Sequence, residues 1–219
     1  MVWSKSGWLS DDTGWLPLVV AGGSPPSYVL AGTFSASGSG DTISTTMNVG
    51  TAAADRIIVI TGASQNSPAI ASATINGVSC TLDASNADSC VFSAPGIAFG
   101  SGVQTITATW TGSSFFTRGI TVWVASHCAS STVIHTASNT TIASTISVVA
   151  GDLMFSANNS ASATPATYSS STQAPSNTQL LASNIGGSAD WVIAATNASF
   201  SVTPQIVTGL NDYAVGTYH

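Results

Sequence analysis

The fold is decided by the stretch VQTITATW, residues 103–110, in which apolar and polar side chains alternate. Ile106, Ala108 and Trp110 fall on one face of this segment, and three threonines fall on the other. Alternation with a period of two is typical of a strand that buries one face and leaves the other in water. The stretch therefore predicts a half-buried β-strand.

Segments on the N-terminal side of this stretch carry further strand signals. Residues 42–49 alternate again, whereas residues 56–61 (RIIVIT) are apolar on both faces, as expected of a central strand. The pair Asn76-Gly77 predicts a two-residue hairpin turn. About a dozen short strands, with no crossover helix pattern between them, favour an all-β fold. We expect an antiparallel β-sandwich, jelly-roll-like in type, preceded by an extended N-terminal arm.

Charged side chains are scarce in this chain. The 219 residues include nine Asp and no Glu, and the basic residues are Lys5, Arg56 and Arg118, which gives a net charge of −6. Helices in soluble proteins usually carry Glu, Lys and Arg on their wet face, so the composition disfavours helix. Binding to nucleic acid or to an anionic membrane surface needs clustered cations. We therefore expect neither partner.

The chain also shows no targeting signal. No apolar run approaches the roughly 20 residues that a transmembrane helix requires. The segment after Lys5 contains Gly7, Asp11 and Asp12, where a secretion signal would have a continuous apolar stretch. The sequence predicts that the protein is made in the cytoplasm without export through the general secretory route.

The N-terminal region differs in composition from the rest. Residues 1–27 contain half of the six tryptophans and close on a Gly/Pro-rich linker, so they are interpreted as an extended arm. We expect this arm to bind a partner through Trp3, Trp8, Trp15 and Leu16, since tryptophan often anchors interfaces. The alternative is that the tryptophans pack back onto the protein's own sandwich.

Residues 28–219 are predicted to form one β-sandwich domain. The alternative is two smaller sandwiches, over 28–126 and 131–219, that meet in a Ser-rich segment. The spacing of strand and turn signals is compatible with both arrangements.

No motif indicates catalysis, a metal or a cofactor. The histidines are His127, His135 and His219, and the chain has no Gly-x-Ser-x-Gly elbow for a serine nucleophile. On a strand, His127 and Cys128 would point to opposite faces, which disfavours a shared metal ion. We expect a buried free Cys128 beside a surface histidine, and no catalytic residue, metal ligand or cofactor. A hydrolase is the least favoured functional hypothesis.

Two further positions are candidate sites. Cys80 and Cys90 flank nine residues of a predicted hairpin and could form a disulfide, with two buried thiols as the alternative. Trp123 lies on the face of its strand opposite Ile120 and Val122, where an outward aromatic ring could stack on a sugar. The alternative is that Trp123 is buried under the arm or a neighbouring subunit.

Several motifs occur together in a recognisable order. The segment DRIIVI (55–60) precedes ATINGV (73–78), which is followed by SAPG (93–96) and the alternating stretch at 103–110. This succession resembles small structural proteins of tailed-bacteriophage particles, over roughly residues 40–125. In those proteins an Arg-led apolar strand precedes a Gly-containing hairpin, a Pro-Gly turn and a Thr-alternating strand.

The resemblance implies a β-sandwich virion component without catalytic or metal residues. The leading hypothesis is a non-enzymatic capsid decoration (cement) protein, displayed on the virion surface after release by lysis. Its expected partners are the major capsid protein or other virion proteins and further copies of itself, a trimer being one arrangement. The alternative function is a fibre, spike or tail-surface protein that binds host glycans.

Overall fold

The structure is a computed structural model that describes most of the backbone. The described residues are 8–11, 14–17, 24, 26–38, 40–64, 70–86, 89–111, 116–128, 135–139, 144–148, 152–159, 167–170, 177–182, 185–192, 198–205 and 212–219. Side chains are described for residues 24, 26–38, 40–64, 70–86, 89–111, 117–128, 152–157 and 214–219.

The described chain is built almost entirely of β-strands. The first eleven are β1 (Trp8–Asp11), β2 (Gly14–Pro17), β3 (Ser27–Gly38), β4 (Thr42–Asn48), β5 (Ile57–Ser64), β6 (Ile70–Ile75), β7 (Val78–Ser79), β8 (Thr81–Asn86), β9 (Ser89–Pro95), β10 (Val103–Trp110) and β11 (Phe116–Ser126). The others are β12 (His135–Asn139), β13 (Ser144–Val148), β14 (Leu153–Asn159), β15 (Thr167–Ser170), β16 (Asn177–Ala182), β17 (Ile185–Val192), β18 (Ala198–Gln205) and β19 (Asp212–Tyr218). A 3-10 turn spans Gly96–Phe99.

These strands form antiparallel sheets. The four-stranded sheet has the order β4-β10-β6-β7, and the central sheet has the order β3-β11-β5-β9-β8. The C-terminal sheet has the order β12-β19-β14-β17-β16, while β13-β18-β15 and β1-β2 form two smaller sheets. The all-β antiparallel sandwich class predicted from the sequence is confirmed. Within the described part of the chain, no helix is long and apolar enough to cross a membrane.

The four-stranded sheet packs on one face of the central sheet. This first interface is mainly aliphatic, although Phe92 and Trp110 are also buried in it. It follows the predicted alternation: Ile106 and Ala108 of β10 are buried, as is Ile60 of β5. On β4 the buried residues Ile43 and Met47 alternate with exposed polar ones. The half-buried strands predicted at 42–49 and 103–110 are therefore confirmed.

The central sheet is covered on its other face as well. Every residue of β5 is buried, which confirms the central strand predicted at 56–61. Its odd-numbered residues Ile57 and Val59 belong to a second interface with the C-terminal sheet, which contributes Phe155 of β14 and Tyr218 of β19. The central sheet is thus the middle layer of a stack of three, because side chains of successive strand residues point to opposite faces.

A polar contact crosses the second interface at its edge. The Tyr218 hydroxyl donates a hydrogen bond of 2.7 Å to Asp83 Oδ2, beside a β-bulge in β8. Burial raises the pKa of the Asp83 carboxyl and raises the pKa of Tyr218 well above its ordinary value. The C-terminal sheet is therefore attached to the central sheet by a partly buried phenol–carboxylate contact as well as by apolar packing.

The predicted hairpin at Asn76-Gly77 is present. Thr74 pairs with Ser79 and Ile75 with Val78, which leaves two residues in the turn. Both turn residues have positive φ, 49° at Asn76 and 80° at Gly77. This is the geometry of a type I′ turn, for which Asn-Gly is the preferred sequence.

The division into domains stays a prediction. Strands β3–β11 supply the four-stranded and central sheets, and the chain after residue 128 supplies the C-terminal sheet. The N-terminal region forms a hairpin in which Trp8 pairs with Pro17 and Asp11 with Gly14.

Candidate functional site

The most distinctive local structure is a buried arginine at the start of β5. The Arg56 side chain is 1% exposed, and its guanidinium donates hydrogen bonds to backbone carbonyls only. Nη1 bonds the oxygens of Val49 (2.8 Å) and Gly50 (3.2 Å). Nη2 bonds the oxygens of Gly100 (2.6 Å) and Gly96. One side chain thus joins the loop after β4 to the loop before β10.

The charge of Arg56 is balanced by peptide dipoles. Burial lowers the pKa of the guanidinium, but an arginine remains protonated in a protein. The approach of the two loops also depends on Gly96, whose amide donates to the Arg56 carbonyl oxygen at 2.6 Å. A Cβ at position 96 would lie 2.5 Å from both Nε and the carbonyl oxygen of Arg56. Glycine is therefore required at this contact.

The joined loops expose two large apolar side chains. Ile97 is 66% exposed and Val103 is 67% exposed. Backbone hydrogen bonds run from Val49 N to Gly102 O (2.9 Å) and from Gly102 N to Gly50 O (2.8 Å). We refer to residues 49–52 and 96–104 as the Arg56 platform.

The Asn76-Gly77 hairpin is tied to the Arg56 platform by side-chain amides. Gln104 Nε2 donates to Ser101 O at 2.7 Å, and Asn76 Nδ2 donates to Gln104 Oε1. The Thr105 amide in turn donates to Asn76 Oδ1 at 2.8 Å. The platform contains no charged side chain, since Arg56 lies beneath it. Ile97 and Val103 are therefore large apolar side chains exposed on an uncharged surface.

Trp123 is not on the surface, so its ring is not available to stack on a sugar. Its side chain is fully buried, 5.7 Å from Phe155 and 6.2 Å from Tyr28 between ring centroids. The indole N–H donates to Thr61 Oγ1 at 3.3 Å. The sequence also allowed burial of Trp123 under the arm or a neighbouring subunit. The ring is buried, but the residues that contact it include Phe155 of β14 in the same chain. Neither the arm nor a neighbouring subunit is needed to bury this ring.

Cys80 and Cys90 are free thiols in the structure, so the candidate disulfide is not formed. Strand register gives the reason. Cys90 lies opposite Ser85, whereas Thr81, the residue after Cys80, lies opposite Ser93. Three strand residues span roughly 10 Å, beyond the reach of a disulfide. Both thiols instead pack at the first interface.

The predicted partner-binding arm is described only in part. Trp8 belongs to β1, and Trp15 and Leu16 belong to β2, with Leu16 opposite Leu9 and Trp15 opposite Ser10. Trp3 lies outside the described residues, and the described side chains begin after the arm's tryptophans. The arm's role in binding stays a prediction.

Two histidine–aspartate pairs were missed by the sequence analysis. His127 Nδ1 lies 3.0 Å from Asp55 Oδ2, and His219 Nδ1 lies 2.7 Å from the buried Asp152. The partners are 72 and 67 residues apart in sequence, so no local spacing could reveal them. His127 is about half exposed beside the buried free Cys128, as predicted. Its positive φ of 61° shows that β11 has already ended there.

Among the residues with described side chains, no group of three or more His, Cys, Asp or Glu could hold a metal ion. Each histidine–aspartate pair connects the end of one strand to the residues just before another strand. His127 joins the end of β11 to the turn before β5, and His219 joins the C-terminus to the start of β14.

Comparison with protein-family models and with curated proteins finds no match to this sequence.

Proposed function

We propose that this protein is a non-enzymatic virion structural protein, a capsid decoration (cement) protein that binds the phage head through protein–protein contacts. The observation that carries the proposal is the pair of exposed apolar side chains, Ile97 and Val103, on the Arg56 platform. Contact with a partner would remove these apolar side chains from water, which favours docking. The platform also lies within residues 40–125, which resemble phage structural proteins.

The energetic basis of such binding is burial of apolar surface. Each square ångström of apolar area removed from water contributes about 25 cal/mol before the costs of association. Loops that are already fixed lose little conformational freedom on binding. The four carbonyl contacts of Arg56 provide this preorganisation. Few charges on the docking surface would also make binding insensitive to salt.

The N-terminal arm is proposed as a second contact with the capsid or a neighbouring copy. Its anchors would be Trp3, Trp8, Trp15 and Leu16, which are the apolar side chains best suited to such a role. A truncation lacking residues 1–27 is expected to bind expanded capsids more weakly than the full chain. Equal binding by the two proteins would reject the role of the arm.

The platform is tested by adding charge to it. The double variant Ile97→Asp/Val103→Asp is expected to lose co-sedimentation with expanded capsids, because a desolvated carboxylate opposes apolar docking. The control is Val78→Asp, at a 53% exposed valine outside the platform, which is expected to bind like the wild type. Undiminished binding by the double variant would show that the platform is not the contact.

The virion assignment has its own test, the copy number per particle from quantitative protein staining of purified virions. Hundreds of copies are expected for a protein that covers the shell. Absence from the particle would reject the virion assignment, and a handful of copies would indicate a tail or portal location.

The alternative of a glycan-binding fibre protein loses its candidate residue, because Trp123 is buried.

A further inference from the structure

Among the described strands, β3 is the longest one that lies at the edge of a sheet. It runs for 12 residues, Ser27–Gly38, at one edge of the central sheet. In the described part of the chain β3 pairs with β11 alone. The opposite side of an edge strand presents backbone N–H and C=O groups that can pair with another strand.

This edge carries few of the features that usually prevent strand addition. Natural edges are blocked by charged side chains, by proline or by bulges. Residues 27–38 contain no charged residue and no proline. One register shift interrupts the pairing of β3 with β11, between Val122 and Trp123, and residues 32–38 then continue in regular register. A seven-residue segment therefore remains suited to pairing.

Apolar side chains on β3 are left partly in water. Val29 is 62% exposed and Leu30 is 37% exposed. Phe34 and Ala36 pack against the first interface but are only partly buried, because the sheet ends at this strand. A further strand alongside β3 would both cover this apolar surface and form hydrogen bonds with the outer side of the β3 backbone.

We infer that β3 is a self-association edge, at which the β3 strands of two copies pair antiparallel across a two-fold axis. A two-fold axis brings a surface against itself, so a suitable surface must not repel itself. The molecule carries a net charge of −6, yet none of its nine aspartates lies in β3. Charged peptides would find no complementary charge along this edge, whereas a second copy meets an identical uncharged strand.

The test is the oligomeric state of the purified full chain by sedimentation equilibrium. The wild type is expected to be a dimer, and Thr33→Lys/Ser35→Lys is expected to be a monomer, because edge lysines oppose strand addition. Both positions are exposed, so the fold should tolerate the change. The matched control is Ser72→Lys/Thr105→Lys, which adds the same charge at exposed positions of the four-stranded sheet, away from β3, and should stay dimeric.

Hydrogen exchange provides a second measurement. Amides within residues 27–38 are expected to exchange more slowly as the wild-type concentration rises, while those of β10 stay unchanged. A wild-type monomer at every concentration, a closed trimer, or a dimer that survives Thr33→Lys/Ser35→Lys would each overturn the inference. Both experiments use the protein without capsids. Their failure is therefore distinguishable from failure of the proposed function, which concerns capsid binding by the Arg56 platform.

Discussion

The two faces of the central sheet are packed by different chemistry. The first interface is mainly aliphatic, as Ile60, Ile106 and Val122 illustrate. The second interface has an aromatic centre, where Trp123 and Phe155 contact each other with Tyr218 nearby. The first joins segments from one half of the chain, and the second joins β11 to strands near the C-terminus.

The difference explains why the strands of the first interface could be predicted from the sequence and the second interface could not. Strands of the four-stranded sheet have one wet face, so they alternate clearly between apolar and polar residues. The second interface also uses positions such as Thr61 and Thr121, which are polar but fully buried. Buried hydroxyls look like surface residues in a sequence, so the pattern around these threonines does not reveal a covering sheet.

The largest expected effect is on the second interface. Trp123→Ala should lower the free energy of unfolding by about 3–5 kcal/mol, because it leaves a cavity between two packed sheets. Urea denaturation measures the change, and hydrogen exchange should show β14 losing protection before β10. Trp123→Phe, which retains a ring, is the control and should cost less. A loss below about 1 kcal/mol for the alanine variant would contradict burial under the C-terminal sheet.

Next in size is the Arg56 contact at the end of the first interface. Arg56→Lys keeps the charge, but one ammonium group cannot replace a guanidinium fork that reaches four carbonyls. A loss of about 3 kcal/mol is expected from carbonyls left without a donor. Gly96→Ala should destabilise the same contact by steric conflict. Wild-type thermal stability in both variants would show that Arg56 does not hold the loops.

A smaller effect is expected at the polar edge of the second interface. Tyr218→Phe removes the hydroxyl that donates to Asp83 and should cost about 2 kcal/mol, as for hydrogen bonds to charged groups. The ring remains, so its packing against Phe155 serves as the internal control. Chemical denaturation of the two proteins gives the difference. No change in stability would mean that the hydroxyl is solvated in the native protein.

The stability of the second interface should also depend on pH through Asp83. Burial raises its pKa, so the folded protein binds this proton more tightly than the unfolded chain does. The resulting stabilisation is fully present below the ordinary carboxyl pKa of about 3.9 and is lost as pH rises through the folded value. The stability of wild type relative to Asp83→Asn should therefore fall with rising pH. A constant difference from acid to neutral pH would contradict it.

The smallest change concerns the thiols, where no stability change is expected. Burial raises the pKa of Cys80 to about 12 and that of Cys128 to about 11, and it raises the pKa of Cys90 further. All three should alkylate slowly in the native protein at pH 8 and fully after denaturation without reductant. Mass spectrometry counts the labels. Two additional labels after reduction would show a disulfide.

The strands and the turn of the first interface could be predicted because their signals are local. The alternation around Ile106, the doubly apolar segment at 56–61 and the Asn76-Gly77 turn each depend on neighbouring residues. The candidate site was less accessible. Arg56 was noted as the start of a strand, but its contacts with Gly96 and Gly100 bridge about 40 residues and use backbone oxygens, which any sequence supplies.

The third layer could not be predicted for a related reason. Phe155 and Tyr218 are far from Trp123 in sequence, and nothing in the spacing of these aromatics indicates that they meet. Cys80 and Cys90 show the converse. Their closeness in sequence suggested a disulfide, yet strand register separates them along the hairpin. Contacts between sheets depend on how strands are ordered in space, and the sequence pattern of a single segment does not determine that order.

The chain's own C-terminal strands cover the middle sheet in the three-layer stack. Nuclear Overhauser spectroscopy of aromatic-labelled protein can detect this contact. Cross-peaks are expected between the indole protons of Trp123 and the ring protons of Phe155, whose centroids lie 5.7 Å apart. An indole that contacts water, with no cross-peak to Phe155, would contradict the three-layer stack.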